Sequence, residues 1–185
     1  MLRTPSEFER AYLSGTDPRA QSGFHGSPER WEAARRGIVE AIDGGGTFLD
    51  IGCANGLLIE SVVEWSPFTI EPYGIDFAPG LVDLARRRLP QWADRFWVAD
   101  VFSWRPPMRF DFVHVRWELD AVDEVRRLAR RAIFSCDGSF RRPDSPRAEP
   151  VADLLRARDL AVTGELYERS DEHQVELAVA WVDQD

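Results

Sequence analysis

The sequence predicts an α/β protein: a doubly wound, seven-stranded sheet, mostly parallel, closed by an antiparallel hairpin at its C-terminal edge. Two observations carry this expectation. From Thr47 to Asp159, short apolar strand-like runs alternate with amphipathic segments of about 10–15 residues, the pattern of successive βαβ units. The last two strand-like runs then follow each other across a short polar connection, which is too short for a crossover and makes them an antiparallel pair.

Taken in order, residues 1–27 mix Gly, Ser, Asp and Pro around Tyr12 and Phe24, and read as a short helix followed by an irregular arm that serves as a lid. A single domain is expected over 28–185. Ser27 is a good N-cap with Pro28 at the first helical position, and in "SPERWEAARRGIVEAID" the residues Trp31, Ala34, Ile38 and Ile42 share one face, so one helix is predicted until "GGG" at 44–46 ends it. Strand "TFLDIG" leads to helix "NGLLIESVVEW", and "EPYGID" to "PGLVDLARRRLPQW". Strand "RFWVAD" enters a Pro-rich loop, and "RFDFVHVRW" precedes helix "DAVDEVRRLARRA". The last third reads as strand "IFSCDG", a polar loop, helix "VADLLRARD", and strands "LAVTGELYE" and "QVELAVAWVD".

Composition narrows the function classes. A chain of 185 residues with 44% hydrophobic content can bury one core without covalent staples. Its net charge of -9 argues against a nucleic-acid binder, because phosphate affinity is built from basic charge. All 23 basic residues are Arg, a bias that reflects codon usage rather than chemistry. Cys53 and Cys136 lie in apolar strand contexts, which gives neither a disulfide framework nor a metal knuckle and fits a reducing cytoplasm. The charged N-terminus lacks the apolar core of a signal peptide, so no membrane association is expected.

The chemistry is concentrated in "FLDIGCANG". In an open α/β sheet, ligands sit at the carboxyl ends of strands where the strand order reverses. Gly52, Ala54 and Gly56 leave little side chain between backbone and ligand, and Asn55 or Gly56 opens the next helix with free N–H groups. A dinucleotide fingerprint wants a third glycine where Leu57 stands, which disfavours a pyrophosphate. Asp50 before the turn would repel phosphate but can welcome an ammonium or sulfonium group. Asp76, ending the second strand, can accept both hydroxyls of a ribose; it can equally cap the helix that begins near Pro79, and both roles are compatible. Phe77 offers an apolar face to a base. Asp100, with the N–H of Val101, can read the amino group and ring nitrogen of adenine, or can simply serve the turn.

At these residues the chain resembles the class I S-adenosylmethionine-dependent methyltransferases. "FLDIGCANG" is similar to their first motif, "YGIDFAPGLVDLARRRL" to the second and "RFWVADVFSW" to the third, and "RFDFVHVRWELD" takes the fourth-strand position. The resemblance spans roughly residues 28–183 and implies a Rossmann-like sheet. It implies S-adenosyl-L-methionine as cofactor and S-adenosyl-L-homocysteine as product. It would place Asp50, Gly52, Ala54, Asn55 and Gly56 at the methionine end, Asp76 and Phe77 at ribose and adenine, and Asp100 and Val101 at the adenine edge. Arg116 would face the reacting centre or the cofactor carboxylate. The arm "QSGFHGSPERW" is similar to a segment that small methyltransferases lay over the cofactor, which brings in Phe24, Gly26 and Trp31. Two departures stand out. Ala54 replaces the commoner glycine, and "RRAIFSCDGSF" lacks the proline-glycine pair usual after the fifth strand.

The expected activity is methyl transfer to a small-molecule acceptor, governed by positioning, in a monomer or homodimer. Base candidates are His25 and Glu118, and less so His173; His25 is also readable as a plain surface histidine and Glu118 as a first-turn helix residue. His114, inside the fourth strand, reads as a satisfied core histidine. No metal triad of acidic residues stands out and no metal is expected, with Asp100 beside Asp120 or Asp123 the one grouping left open. Trp31, Trp104 and Trp117 can wall a pocket that favours a sulfonium, although most of the seven tryptophans are expected in the core. Two alternatives stay open: a non-catalytic relative acting through a partner, motivated by the altered fifth-strand region, and an NAD-linked oxidoreductase, against which Leu57 speaks.

Overall fold

The computed structural model describes residues 5–106, 108–116, 121–142 and 144–184. Strands β1 (Gly46–Ile51), β2 (Ile70–Asp76), β3 (Phe96–Val98), β4 (Phe110–Arg116), β5 (Ala129–Ser139), β6 (Gly164–Ser170) and β7 (Val175–Asp183) form one sheet in the order β3-β2-β1-β4-β5-β7-β6. Strands β1 to β5 pair in parallel, while β7 runs antiparallel to both β5 and β6. The seven-stranded, mostly parallel sheet with its closing hairpin is therefore the one the alternation predicts.

Both faces are covered, which is why the parallel strands read as nearly continuous apolar runs. On one face Phe48, Phe112 and Ile133 pack under helices α3 (Leu57–Trp65) and α4 (Pro79–Arg88), through Ile59, Val62, Val82 and Ala85. On the other face Leu49, Val113 and Phe134 meet α5 (Val122–Leu128) and α6 (Val151–Arg156), through Val125, Leu128, Val151 and Leu155. The chain steps outward from β1 to β2 and β3, then returns to β4 on the opposite side of β1. This reversal opens a crevice at the carboxyl ends of β1 and β4.

Ahead of the sheet, helix α1 (Pro5–Leu13) packs on α4, where Glu9 accepts a hydrogen bond from the Gly80 amide. The arm that follows is pinned by Asn55, whose Nδ2 donates to the Pro18 carbonyl at 2.7 Å.

Three segments differ from the sequence expectation. The helix predicted from Ser27 onward is broken: α2 (Pro28–Ala33) stops, Arg35 adopts φ -137°, and a 3-10 helix covers Arg36–Ala41. Gly37 explains the break. It weakens the helix, and a Cβ there would meet Leu166 at 2.7 Å and Leu177 at 3.0 Å, so the chain is pressed directly onto the β6–β7 hairpin. Helix α5 is also shorter than "DAVDEVRRLARRA" suggests, because Ala129 already pairs with Phe110 and Arg131 with Phe112. The helix-like arginine spacing there is satisfied in a strand, by Asp43 and Asp183 around Arg131. Finally, β6 begins at Gly164 rather than Leu160, whose amide instead closes the turn after α6 on the Leu155 carbonyl.

Candidate active site

The turn after β1 is built from left-handed backbone. Gly52, Ala54 and Gly56 have φ of 77°, 47° and 76°. Glycine tolerates this region, whereas an alanine costs about 1–2 kcal/mol there. The strain at Ala54 is held by Asp76: the Ala54 amide donates to Asp76 Oδ2 at 2.9 Å, and the Ala78 amide to Oδ1 at 2.9 Å. Burial pushes the Asp76 carboxyl above its ordinary range, against the pull of those two amides and with Asp50 and Glu9 adding to the rise.

The glycines divide by what surrounds them. A Cβ on Gly52 would meet nothing within 4 Å, so this position faces open space. On Gly56 it would meet Leu89 at 2.9 Å and Phe96 at 3.4 Å, so the glycine is demanded by packing of α3 on the sheet. Asn55 is fully buried and spent on the arm and on the Leu57 amide.

Beside the turn, Asp50 pairs in register with His114. Its Oδ1 lies 2.7 Å from His114 Nδ1, and His114 Nε2 lies 2.8 Å from Ser135 Oγ. This buried chain crosses β1, β4 and β5 and fixes the Asp50 carboxylate behind Gly52. Next to it, Asp137 near the end of β5 bridges two arginines, Arg35 at 3.0 Å and Arg116 at 2.8 Å. Burial would raise the Asp137 carboxyl, but the two guanidiniums outweigh it and hold the group below the ordinary carboxylate value. The break between α2 and the 3-10 helix is what turns Arg35 inward to reach it.

Three cavities meet here. One of about 230 Å³ is lined by Tyr12, Gly23, Gly52, Ala54, Asp76 and Phe77. A smaller one of about 70 Å³ lies against Trp31, Asp50, Cys53, His114 and Ser135, and shares Ser22, Arg35, Gly52, Ala54 and Arg116 with the first. A third, about 890 Å³, is lined by Phe24, His25, Arg30, Ser139, Arg141 and Arg142, and joins the first at Gly23, Arg116 and Asp137.

Comparison with known proteins places this geometry. A profile described as "Methyltransferase domain" matches residues 48–135, which contain β1 to the middle of β5 and the whole glycine turn. The chain carries a class I S-adenosylmethionine-dependent methyltransferase domain. Its fold is shared with the N-methyltransferase NodS from Bradyrhizobium japonicum WM9, solved with S-adenosyl-l-homocysteine, at 17% identity and TM-score 0.69 over 96% of each chain. The magnesium protoporphyrin IX methyltransferase from Synechocystis PCC 6803, solved with SAM, aligns at 14% identity and TM-score 0.61 over 98% of this chain and 99% of its own. A putative RNA methyltransferase from Pyrococcus horikoshii aligns at 12% identity and TM-score 0.58 over 100% and 99%. Among curated proteins, none matches the chain significantly in sequence.

The methyltransferase-domain match and the fold shared with chains solved with S-adenosyl-l-homocysteine and SAM make S-adenosylmethionine the group to fit to these cavities. The residues present suit that group: the space before Gly52 is a cradle a side chain would fill, and the neighbouring carboxylates Asp50 and Asp76 suit a cation and a diol. Of the residues singled out in sequence, Asp50, Gly52, Ala54, Asp76, Phe77, Arg116, Phe24 and His25 line these cavities. Asn55, Gly56, Gly26, Asp100 and Val101 do not. Gly26 lets the Arg30 stem pass, since a Cβ there would lie 2.6 Å from its Cδ. Asp100 accepts from the Phe102 amide at 3.1 Å and serves its own turn, and Val101 packs into the core. Glu118 and Trp117 lie outside the described residues. Trp31 lines the small cavity and donates to Ser61 at 3.0 Å, whereas Trp104 stacks with Trp97 and Phe110 in the core. Among the described residues no helix is long and apolar enough to cross a membrane.

Sequence reasoning missed Arg35, Arg30 and Asp137. Asp137 had a legible signal, a carboxylate before Gly138 at a strand's carboxyl end, the same cue that singled out Asp76.

Proposed function

We propose that this methyltransferase acts on a small molecule, held in the 890 Å³ cavity and reached from the cofactor's cavity past Arg116 and Asp137. The observation that carries the reading is the junction itself: two cavities of unequal size and different lining meet at Gly23, Arg116 and Asp137. In this assignment Gly52 and Ala54 present bare backbone to the methionine end. Each Asp76 oxygen uses one lone pair on an amide and keeps another for a ribose hydroxyl. Phe77, 51% exposed, offers its ring to the adenine.

The cofactor supplies an activated methyl group on a sulfonium. The chain's own task is to bring the acceptor atom to about 3–3.5 Å in line with it and to exclude water. The arm acts as the lid, since Tyr12, Ser22 and Gly23 close one side of the cofactor cavity. His25 stands on the acceptor side, where it can take a proton from a hydroxyl or amine acceptor. The net charge of -9 disfavours nucleic acid as acceptor, and the free thiols Cys53 and Cys136 fit a reducing cytoplasm.

Calorimetry with S-adenosylmethionine tests the assignment. The wild type should bind and Asp76→Ala should lose at least about tenfold in affinity, the weight of one charged hydrogen bond. Retained affinity in Asp76→Ala would remove the ribose site. Binding without turnover on a broad acceptor panel would favour the non-catalytic alternative.

A further inference from the structure

The wall of the 890 Å³ cavity carries four guanidinium groups, Arg30, Arg116, Arg141 and Arg142, against one carboxylate, Asp137. That carboxylate is already committed to Arg35 and Arg116. Among the described residues, no carboxylate lies within ion-pair distance of Arg30, Arg141 or Arg142. Arg30 is 9% exposed and is satisfied only by neutral groups: the carbonyls of His173 and Gln174, and Ser139 Oγ at 3.0 Å. Its Nε has no partner. Burial and the neighbouring Arg141 pull its pKa down, and Asp137 offsets only part of that.

Arg30 is buried, so its charge without an acidic partner costs free energy, while Arg141 and Arg142 are exposed and present their guanidiniums at the cavity wall. The cost is recovered when an anion enters, because a planar guanidinium forks onto carboxylate or phosphate oxygens through two parallel N–H bonds. The cavity wall is also built to stay in place. Glu176 pins the loop that carries Arg141 and Arg142, through Arg147 Nε at 2.7 Å and the Ala148 amide at 2.8 Å.

We infer that the methyl acceptor is an anionic small molecule whose carboxylate or phosphate is bound by Arg30, Arg141 and Arg142. The inference rests on the small-molecule reading above and gives it a chemical class.

The test titrates the protein, saturated with S-adenosylhomocysteine, with inorganic phosphate, benzoate and the uncharged benzamide. Benzoate or phosphate should bind at least about tenfold more tightly than benzamide, with affinity falling as salt is added. Preference for benzoate marks a carboxylate acceptor, and preference for phosphate a phosphorylated one. Arg141→Gln/Arg142→Gln should weaken the anion by about tenfold and leave S-adenosylhomocysteine affinity within about twofold. A charge-matched control, Arg87→Gln/Arg158→Gln, should behave as wild type. Equal binding of benzamide and benzoate, or an unaffected double variant, would overturn the inference. So would loss of S-adenosylhomocysteine rather than of the anion, since the arginines would then serve the cofactor's own carboxylate. Failure of the wild type to bind S-adenosylhomocysteine would instead count against the cofactor site itself.

Discussion

At the scale of single residues, the site depends on carboxylates held by different means. Asp76 is buried against two amides and sits above its ordinary pKa, so it withholds stability as pH rises through its folded value. Asp137 behaves in the opposite sense. Its folded pKa lies below the ordinary 3.8, so its stabilising contribution is fully present above 3.8 and is lost as pH falls through the lower folded value. Most of that contribution comes from Arg35, whose side chain is 10% exposed, since Arg116 is 66% exposed and well screened. Asp137→Asn should therefore cost about 1–3 kcal/mol at neutral pH, and the difference from wild type should shrink in acid below 3.8. Denaturant unfolding across pH checks this, and a pH-independent difference would remove the charge from the explanation. Asp50 and Asp76 were singled out in sequence because each lies near the carboxyl end of a strand, and both line a cavity there. Arg30 and Arg35 were not, since an arginine at helical spacing looks like a solvated face; Arg35 turns inward where the helix breaks, and Arg30 is held by carbonyls of the distant β6–β7 turn.

At the scale of elements, the glycine turn, the strand order and the C-terminal hairpin were readable because each has a local signal. The broken helix before β1 and the early start of β5 were not. Their causes are partners far along the chain: the β6–β7 hairpin pressing on Gly37, and β4 drawing Ala129 and Arg131 into the ladder. The loop between β5 and α6 is a third such case. Its sequence is polar and rich in Pro and Arg, yet Glu176 on β7 gathers Arg147, the Ala148 amide and the Tyr167 hydroxyl around one carboxylate that is 2% exposed. Glu176→Gln replaces two acceptors by one acceptor and one donor facing donors. It should destabilise the fold by about 1–3 kcal/mol and speed hydrogen exchange in residues 139–148 more than in β1. Unchanged exchange in that loop would mean that other contacts hold it.

At the scale of the whole molecule, a methyltransferase frame adjoins an arginine-lined cavity. The frame, from β1 into β5, is where the family profile and the sequence motifs agree. The arginine-lined cavity is assembled from the arm, α2 and the loop after β5, which are distant in sequence and carry no motif. That is why the cofactor class was readable from sequence and the arginine-lined wall was not. The crystal structure of the protein with S-adenosylhomocysteine tests the central claim most directly. The account predicts the ribose hydroxyls on Asp76, the homocysteine backbone along Gly52 and Ala54, and the sulfur directed past Arg116 and Asp137 into the arginine-lined cavity. A cofactor bound elsewhere, or a sulfur facing away from that cavity, would contradict it.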